Sequence, residues 1–437
     1  MGVSVTTRAL GEALRARLGP DGATDDPAAR AAAAVDGGQP SWVARPRSVE
    51  DAARVLALAH DEGLAVLPRG SGSALALGAP PERADIVLDL GRLDTVLEYS
   101  PDDLTVTVQA GVTGGALAAT LAARRQTLPV DPPGWSRRTL GGIAATAASG
   151  PLRLRYGTVR DLLLGVRFIQ ADGVTTWGGA KVVKSVTGYD VPKLLVGSLG
   201  TLGVIVEMTL RLHPLPEAAA TVLLLMPSAQ AAQDTVGRIV DSTLQPNRLE
   251  WLDAGALAAC GLPSSPAALA ISIGSVEAAV RAQQAVIVAT GTAAGARAEI
   301  VGPAFWRTYD RALAETGTTV LRVGTLTSRL AATLDAIRAA LGTEASFAIT
   351  AGAPLGVLRV AIDGGEPVRL RQAIERLRGF VGEDEGSVVI ERAPLALRTS
   401  VDPWGSVPTG ALELMRTLKR EFDPARTLNP GRFVGGI

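Results

Sequence analysis

The sequence predicts an α+β protein assembled in two main parts, each a sheet layered with helices. Three observations carry this expectation. Short apolar segments of strand length alternate with longer stretches of helical spacing. The 437 residues suggest two or three domains, at roughly 100–200 residues each. The texture changes at Pro214-Leu215-Pro216, where two prolines interrupt a run of strands.

Residues 1–40 read as an Ala-rich helical lead-in punctuated by Asp21-Gly22 and Gly37-Gly38. The first part is placed over residues 41–215. Trp42-Val43-Ala44 is a short strand, and Ser48-Val49-Glu50-Asp51 starts a helix with a capping pattern. Leu64 to Leu67 is a buried strand ending in the turn Pro68-Arg69-Gly70. Strands follow at Ile86 to Leu90, Thr95 to Tyr99 and Leu104 to Ala110, the last with strict alternation. Gly114 to Arg125 is a helix, and residues 131–150 are irregular and rich in Pro and Gly. Strands at Leu162 to Gln170 and Val204 to Leu212 complete the part.

The second part, residues 216–395, alternates strands with helices. Seven strands are expected, at Thr221 to Leu225, Leu249 to Leu252, Leu269 to Ile273, Val320 to Val323, Phe347 to Thr350, Val357 to Ile362 and Val388 to Glu391. Single helices between them, such as Val276 to Ala289, Ser328 to Leu341 and Val368 to Phe380, imply one sheet covered by helices. Residues 396–437 add a turn at Asp402 to Gly405, a helix from Gly410 to Phe422 and a Pro/Gly-rich tail.

Composition removes several functions. With 43 Lys+Arg against 43 Asp+Glu, the chain lacks the basic footprint of a nucleic-acid binder. One cysteine, Cys260, excludes a disulfide scaffold, a Cys-ligated zinc site and an iron–sulfur cluster within this chain. Two histidines, His60 and His213, exclude a multi-His metal centre, so no metal site is expected. No apolar run reaches the length of a membrane span, and the N-terminus lacks the layout of a signal peptide. The expected location is the cytoplasm, or the inner membrane's surface through a partner.

Four segments concentrate glycine with small hydroxyl residues. Pro68-Arg69-Gly70-Ser71-Gly72-Ser73 directly follows a strand. Glycine lets consecutive N–H groups turn inward into an anion-binding nest, although a plain strand-to-helix turn uses the same residues. The segment is neither a P-loop nor a G-x-G-x-x-G fingerprint, so nucleoside triphosphates and NAD are not supported. The second segment is Asp131 to Gly134 followed by Thr139 to Gly150, the third Arg155 to Asp161. The fourth is Lys181 to Asp190 with Gly197 to Ile205.

In this order and spacing the segments resemble the FAD-binding oxidoreductases of the vanillyl-alcohol oxidase/p-cresol methylhydroxylase (PCMH) type. Within them the chain is most similar to the FAD-binding subunit of bacterial glycolate oxidase and to FAD-linked 2-hydroxy-acid dehydrogenases. The resemblance covers roughly residues 41–214 and returns at Phe422-Asp423-Pro424 to Leu428-Asn429-Pro430-Gly431-Arg432. It implies a two-part PCMH-type FAD-binding domain and an α+β cap with an antiparallel sheet.

The resemblance also assigns roles. Arg69, Gly70, Ser71, Gly72 and Ser73 would wrap the FAD pyrophosphate. Thr139, Leu140, Gly141, Gly142, Ala145, Thr146 and Ser149 would form the opposing wall, and Gly157 and Asp161 would shape the turn beside it. Gly203, Val204 and Ile205 would lie along the adenosine or flavin, and Asn429 would close the site. The first loop has no histidine to tether the cofactor, so the FAD is expected to be non-covalent.

One departure bears on catalysis. Relatives that oxidise hydroxy acids carry a motif like H-x-G-D-G-N-x-H in the second part. The corresponding stretch here, Ala348 to Arg359, contains neither His nor Asp. Arg307, Arg322, Arg359 and Arg392 are candidates to bind a substrate carboxylate, since the guanidinium fork donates two parallel hydrogen bonds. A surface or interdomain ion pair is the more ordinary account of any one of them. Lys181, Lys184 and Tyr189 are candidates to approach the flavin, and Trp306 and Trp404 read as packing anchors.

The expected function is an FAD subunit of a 2-hydroxy-acid dehydrogenase complex, with a second FAD subunit and an iron–sulfur subunit as partners. The alternatives are a stand-alone FAD oxidoreductase of another substrate and a non-catalytic flavin-binding scaffold.

Overall fold

The structure, a computed structural model, describes residues 7–180, 189–343, 345–382 and 385–437. Among them, the first sheet has the strand order Ala23–Thr24, Trp42–Ala44, Ile86–Asp89, Val66–Arg69. Its central strand pairs in parallel with both neighbours. A run such as Ile86-Val87-Leu88 is apolar at every position because both of its faces are covered. The Val49–Asp61 helix lies against this sheet, and Ser48 Oγ caps it by accepting from Asp51 N at 3.1 Å. The lead-in helix Thr7–Leu18 buries Leu10 and Leu14 in the same core, so it is integral to the first layer.

The second sheet is antiparallel, in the order Val96–Ser100, Thr105–Gln109, Val204–Arg211, Leu163–Ile169, Thr175–Gly179. The edge strand Thr175–Gly179 was not legible, since Thr-Thr-Trp-Gly-Gly lacks an apolar alternation. Residues 131–150, expected to be irregular, contain the helix Leu140–Thr146, whose Leu140, Ile143 and Ala144 pack into the core. Small residues permit that close packing: a Cβ on Gly141 would stand 2.7 Å from the Cβ of Ala110.

All strands of the third sheet are antiparallel, in the order Arg297–Val301, Ala218–Met226, Ala267–Ser275, Arg248–Asp253, Ser346–Gly352, Val357–Asp363, Thr319–Gly324, Ser387–Arg392. The edge strand Arg297–Val301 adds an eighth to the seven expected; its charged Arg297 and Glu299 hid it in the sequence. Helices Ala229–Val240, Glu277–Ala293, Leu330–Leu341 and Pro367–Val381 bury one face of the sheet. On the other face, Ala254–Ala259 and Ala304–Glu315 cover only part of the strands.

Strand alternation decides what the uncovered area presents. Leu249, Trp251, Ile349, Ala351, Leu358, Val360, Leu321 and Val323 all point into the helix-covered core. Their alternate neighbours Glu250, Thr350, Arg359 and Arg322 therefore share the opposite face. A bulge where Val320 pairs with Arg392 and Leu321 with Ile390 interrupts the last strand at Glu391, beside the same area.

That face is held against the first half by Arg248 Nε to Asp131 Oδ2 at 3.0 Å, Asn247 Nδ2 to Tyr156 Oη at 2.9 Å and Gly134 N to Asp310 Oδ1 at 2.8 Å. The C-terminal segment returns to the first sheet. Val66 N donates to Thr427 O at 2.7 Å and Asn429 N to Val66 O at 3.0 Å. Buried Lys419 anchors this return, donating to Thr201 O, Leu428 O and the fully buried Asp423 carboxylate.

Candidate active site

The strand Val66–Arg69 delivers the chain into the first glycine loop. Gly72 has φ +77°, a left-handed conformation that side chains resist. A Cβ on Gly70 would stand 2.0 Å from Thr139 Oγ1, so the loop presses directly on the second glycine-rich segment. Among the described residues, the backbone N–H groups of Gly70, Ser71, Gly72 and Ser73 have no protein acceptor. Free amides in a turn of this kind fit an anion such as a pyrophosphate. Arg69 fastens the loop's start by donating to Ala32 O at 2.8 Å, and Arg432 fastens its far side by donating to Leu75 O and Leu77 O.

Beyond the loop opens a cleft of about 440 Å³ between the glycine-rich segments and the uncovered face of the large sheet. Ser73, Thr146 and Ser149 line one wall; Glu250, Tyr309, Thr350, Arg322, Arg359, Glu391 and Arg392 line the other. Arg138 enters from the flank, its Nη2 3.3 Å from Thr146 Oγ1. Glu391 balances part of the charge, forming ion pairs with Arg322 at 3.2 Å and Arg359 at 3.5 Å.

Three of the arginines are incompletely used. Arg138, Arg359 and Arg392 each keep a buried Nε without a partner. Arg392 spends its other nitrogens on Ala314 O, Thr316 O and Gly317 O, closing the C-terminus of the Ala304–Glu315 helix. Burial lowers the pKa of Arg138 and Arg359, with Glu391 acting against the shift. Both remain cations, because guanidinium starts so high. Burial pushes the Glu250 carboxyl up to about 8, against a lowering hydrogen bond from Tyr309. At neutral pH, Glu250 is mainly uncharged.

The residues singled out in the sequence fall into three groups. Ser73, Thr146, Ser149, Arg322, Arg359 and Arg392 meet at the cleft, and Trp404 lines its edge while meeting Phe433 edge-to-face. Others are framework. Gly157 and Asp161 form a turn in which Asp161 accepts from Thr158 N at 2.7 Å. Asn429, with φ +44°, donates to Leu199 O and keeps a buried, unpartnered Oδ1. Leu140, Val204 and Ile205 point into the cores, and a Cβ on Gly203 would strike Phe168, so these four face protein within the fold.

The third group lies elsewhere. Arg307 is exposed on its helix and Tyr189 is 96% exposed, and neither borders the cleft. Helical phase explains Arg307: Phe305 and Tyr309 take the buried face of that helix. Lys181 and Lys184 lie outside the described residues. Trp306 packs against Phe305 and Tyr309 and donates to Thr221 Oγ1.

Sequence reasoning missed Arg138, Glu250, Tyr309, Thr350 and Glu391. For Glu250 a signal existed, a lone carboxylate inside the apolar strand Leu249-Glu250-Trp251-Leu252.

Together, the loop of free amides, the small-residue wall and the polar sheet face define a two-part binding site for a large anionic ligand. Residues 40–179 match the FAD binding domain family, and residues 406–433 match the C-terminal domain of FAD linked oxidases. The chain is 32% identical over 274 residues to the glycolate oxidase subunit GlcD of Bacillus subtilis, covering 60% of this chain and 58% of that one. It is 35% identical to a probable mitochondrial D-lactate dehydrogenase of Danio rerio, covering 51% of this chain and 45% of the relative. To D-2-hydroxyglutarate dehydrogenase of Xanthomonas citri it is 38% identical, over 43% of this chain and 40% of the relative. The matched region thus spans about half the length of these relatives.

In fold, the chain is similar to p-cresol methylhydroxylase, with TM-score 0.78 and 15% identity over 97% of this chain and 96% of the other. The 4-ethylphenol oxidase of Gulosibacter chungangensis gives 0.79 at 16% identity, over 99% and 98%. Residues 40–179 thus form an FAD binding domain, the chain shares the fold of p-cresol methylhydroxylase, and its cofactor is FAD. No helix among the described residues is long and apolar enough to cross a membrane.

Proposed function

We propose that this chain is the FAD-binding subunit of a glycolate-oxidase-like 2-hydroxy-acid dehydrogenase complex. The observation that carries the reading is the cleft, where arginines with buried, unpartnered Nε atoms stand across from the flavin-side wall. The names of three relatives point to the same substrate class, small 2-hydroxy acids.

Arg69 to Ser73 would hold the pyrophosphate through backbone amides, with Thr139 to Gly142, Ala145, Thr146 and Ser149 as the facing wall. Gly157 and Asp161 would fix the turn beside it, and Asn429 would close the site from the tail. Gly203, Val204 and Ile205 would support it from within the sheet. The FAD would be non-covalent, as no histidine stands in the first loop.

Bound FAD supplies the two-electron chemistry, so the protein's task is to place the substrate and manage charge. Arg359 and Arg138 would hold the carboxylate, with Arg322 and Arg392 setting the field around it. Glu391 would keep Arg359 oriented until the substrate enters. A single cysteine means that an iron–sulfur acceptor would be carried by a partner subunit, alongside a second FAD subunit. The complex would work in the cytoplasm or at the inner membrane's surface.

The test is anaerobic addition of glycolate or D-lactate to the FAD-loaded chain, alone and with its partner subunits. Bleaching of the flavin absorbance supports the reading, and the partner dependence shows where the donor site is completed. A flavin that stays oxidised with both acids and all partners would refute it.

A further inference from the structure

The stretch Ala348 to Arg359 contains neither His nor Asp, and strand register sets a buried carboxyl beside it. Gly352, within the stretch that lacks His and Asp, pairs directly with Glu250 on the neighbouring strand. A Cβ on Gly352 would lie 3.5 Å from Glu250 Oε1, so the glycine leaves that oxygen uncovered on the cleft side. The other oxygen, Oε2, accepts from Tyr309 Oη at 2.6 Å.

Glu250 is 6% exposed and lies in a central strand of the large sheet, yet no salt bridge reaches it among the described residues. A buried carboxyl without a paired cation is costly, and a structural acceptor for Tyr309 could equally be an amide. The titratable and polar groups facing it are Arg248 on its own strand, Asp131 from the flavin-side segment, Tyr309 on the covering helix and Thr350 on the next strand, while the strand on its other side sets Ala270 opposite it. Arg359 and Cys260 lie beyond, acting on Tyr309.

We propose that Glu250, oriented by Tyr309, is the proton acceptor of the cleft and takes the hydroxyl proton of a bound 2-hydroxy acid. The inference rests on the function proposed above. As the substrate's C–H bond breaks, its hydrogen leaves for FAD with both electrons. The O–H bond yields its proton to Glu250 Oε1, and the substrate departs as the 2-oxo acid. Two electrons and two protons are thus accounted for. Burial favours the neutral carboxyl until about pH 8, so the reaction accelerates as the solution becomes alkaline. Tyr309 is a positioning residue, holding the acceptor oxygen's twin.

Anaerobic stopped-flow reduction by glycolate or D-lactate across pH tests this, with oxalate as a non-oxidisable probe of binding. Glu250→Gln is expected to slow reduction about 10²–10⁴-fold and to flatten its pH profile, with oxalate binding retained. Tyr309→Phe, which keeps the carboxyl, is expected to move the profile to higher pH, because the hydrogen bond it removes favours the carboxylate. Infrared titration of the flavin-free chain gives a readout independent of turnover. The carbonyl stretch of a protonated carboxyl should persist at neutral pH in the wild type and vanish in Glu250→Gln.

Wild-type rate and pH dependence in Glu250→Gln overturn this inference and leave the proposed function standing. An unmoved profile in Tyr309→Phe overturns the positioning role. Failure of every hydroxy acid to reduce wild-type flavin, with partners present, overturns the function and this inference together.

Discussion

On the loop side of the cleft the groups on offer are free backbone amides of consecutive residues, Gly70 to Ser73. On the sheet side they are side chains brought together from across the third sheet and the helix above it: Glu250, Thr350, Arg359, Arg322, Glu391 and Tyr309. A backbone site needs local conformation, and glycine writes that requirement into a short stretch of sequence. A side-chain site needs strand order and register, which no short stretch contains. The loop side therefore tolerates few substitutions at glycine, whereas the sheet side can change chemistry while keeping the fold.

The largest expected effect falls on the device that holds the tail against the loop side. Lys419→Met leaves Asp423 buried without its cation, an arrangement that costs about 3–5 kcal/mol. The substitution should lower the melting temperature sharply, and the FAD-loaded chain should lose its cofactor before it unfolds. A melting temperature and flavin content like those of the wild type would show that the tail does not depend on this charge pair.

Gly72→Val comes next. Its φ of +77° opposes any β-branched residue, and a Cβ there would stand only 3.2 Å from Arg69 Nε. Strain of about 1–3 kcal/mol in the loop corresponds to roughly 10- to 100-fold weaker FAD binding. Flavin titration by fluorescence quenching reads this directly, and unchanged affinity would remove the loop from the pyrophosphate site.

Arg359→Met should act on the other wall alone. Losing a charged hydrogen-bond donor costs about 1.5–3 kcal/mol, so oxalate should bind roughly tenfold or more weakly while FAD binding is retained. If FAD binding fell instead, the two walls would not be separable.

These contrasts also explain what the sequence disclosed. The glycine segments and the Phe422 to Arg432 tail were legible because local backbone geometry alone calls for their residues. The strands of the third sheet were mostly legible from apolar runs, except for the charged edge strand Arg297–Val301. Residue type alone does not say which face of its helix Arg307 occupies, and it faces away from the cleft, while Tyr189 stands exposed outside any helix or strand. Glu250 and Tyr309, 59 residues apart, meet only when the Ala304–Glu315 helix folds onto the Arg248–Asp253 strand.

The sheet wall should also leave a pH signature on stability. Glu250 has an ordinary value of 4.5 and is raised by burial to about 8 in the folded chain. Between these values the folded form keeps a proton that the unfolded chain releases. Its stabilising contribution is therefore full below 4.5 and is lost as pH rises through about 8. Asp131, raised by burial to about 6, contributes a loss that finishes earlier. The melting temperature should fall from neutral to alkaline pH, and Glu250→Gln should flatten that decline. An equal slope in both proteins would mean that Glu250 is already ionised at neutral pH.

The smallest effect concerns Arg322, which stands opposite Arg359 in register and shares Glu391 with it. The Arg322 side chain is 45% exposed against 17% for Arg359, so water already screens its ion pair. Such a pair contributes about 0–1 kcal/mol. Arg322→Ala should accordingly shift the melting temperature little, and less than Arg359→Met does. Glu391 would keep one cation in the variant, since Arg359 stays at 3.5 Å and also donates to Leu313 O. A large loss of stability from Arg322→Ala would mean that the two arginines and Glu391 act as one network. The sheet wall would then be a rigid unit, as dependent on each member as the loop is on its glycines.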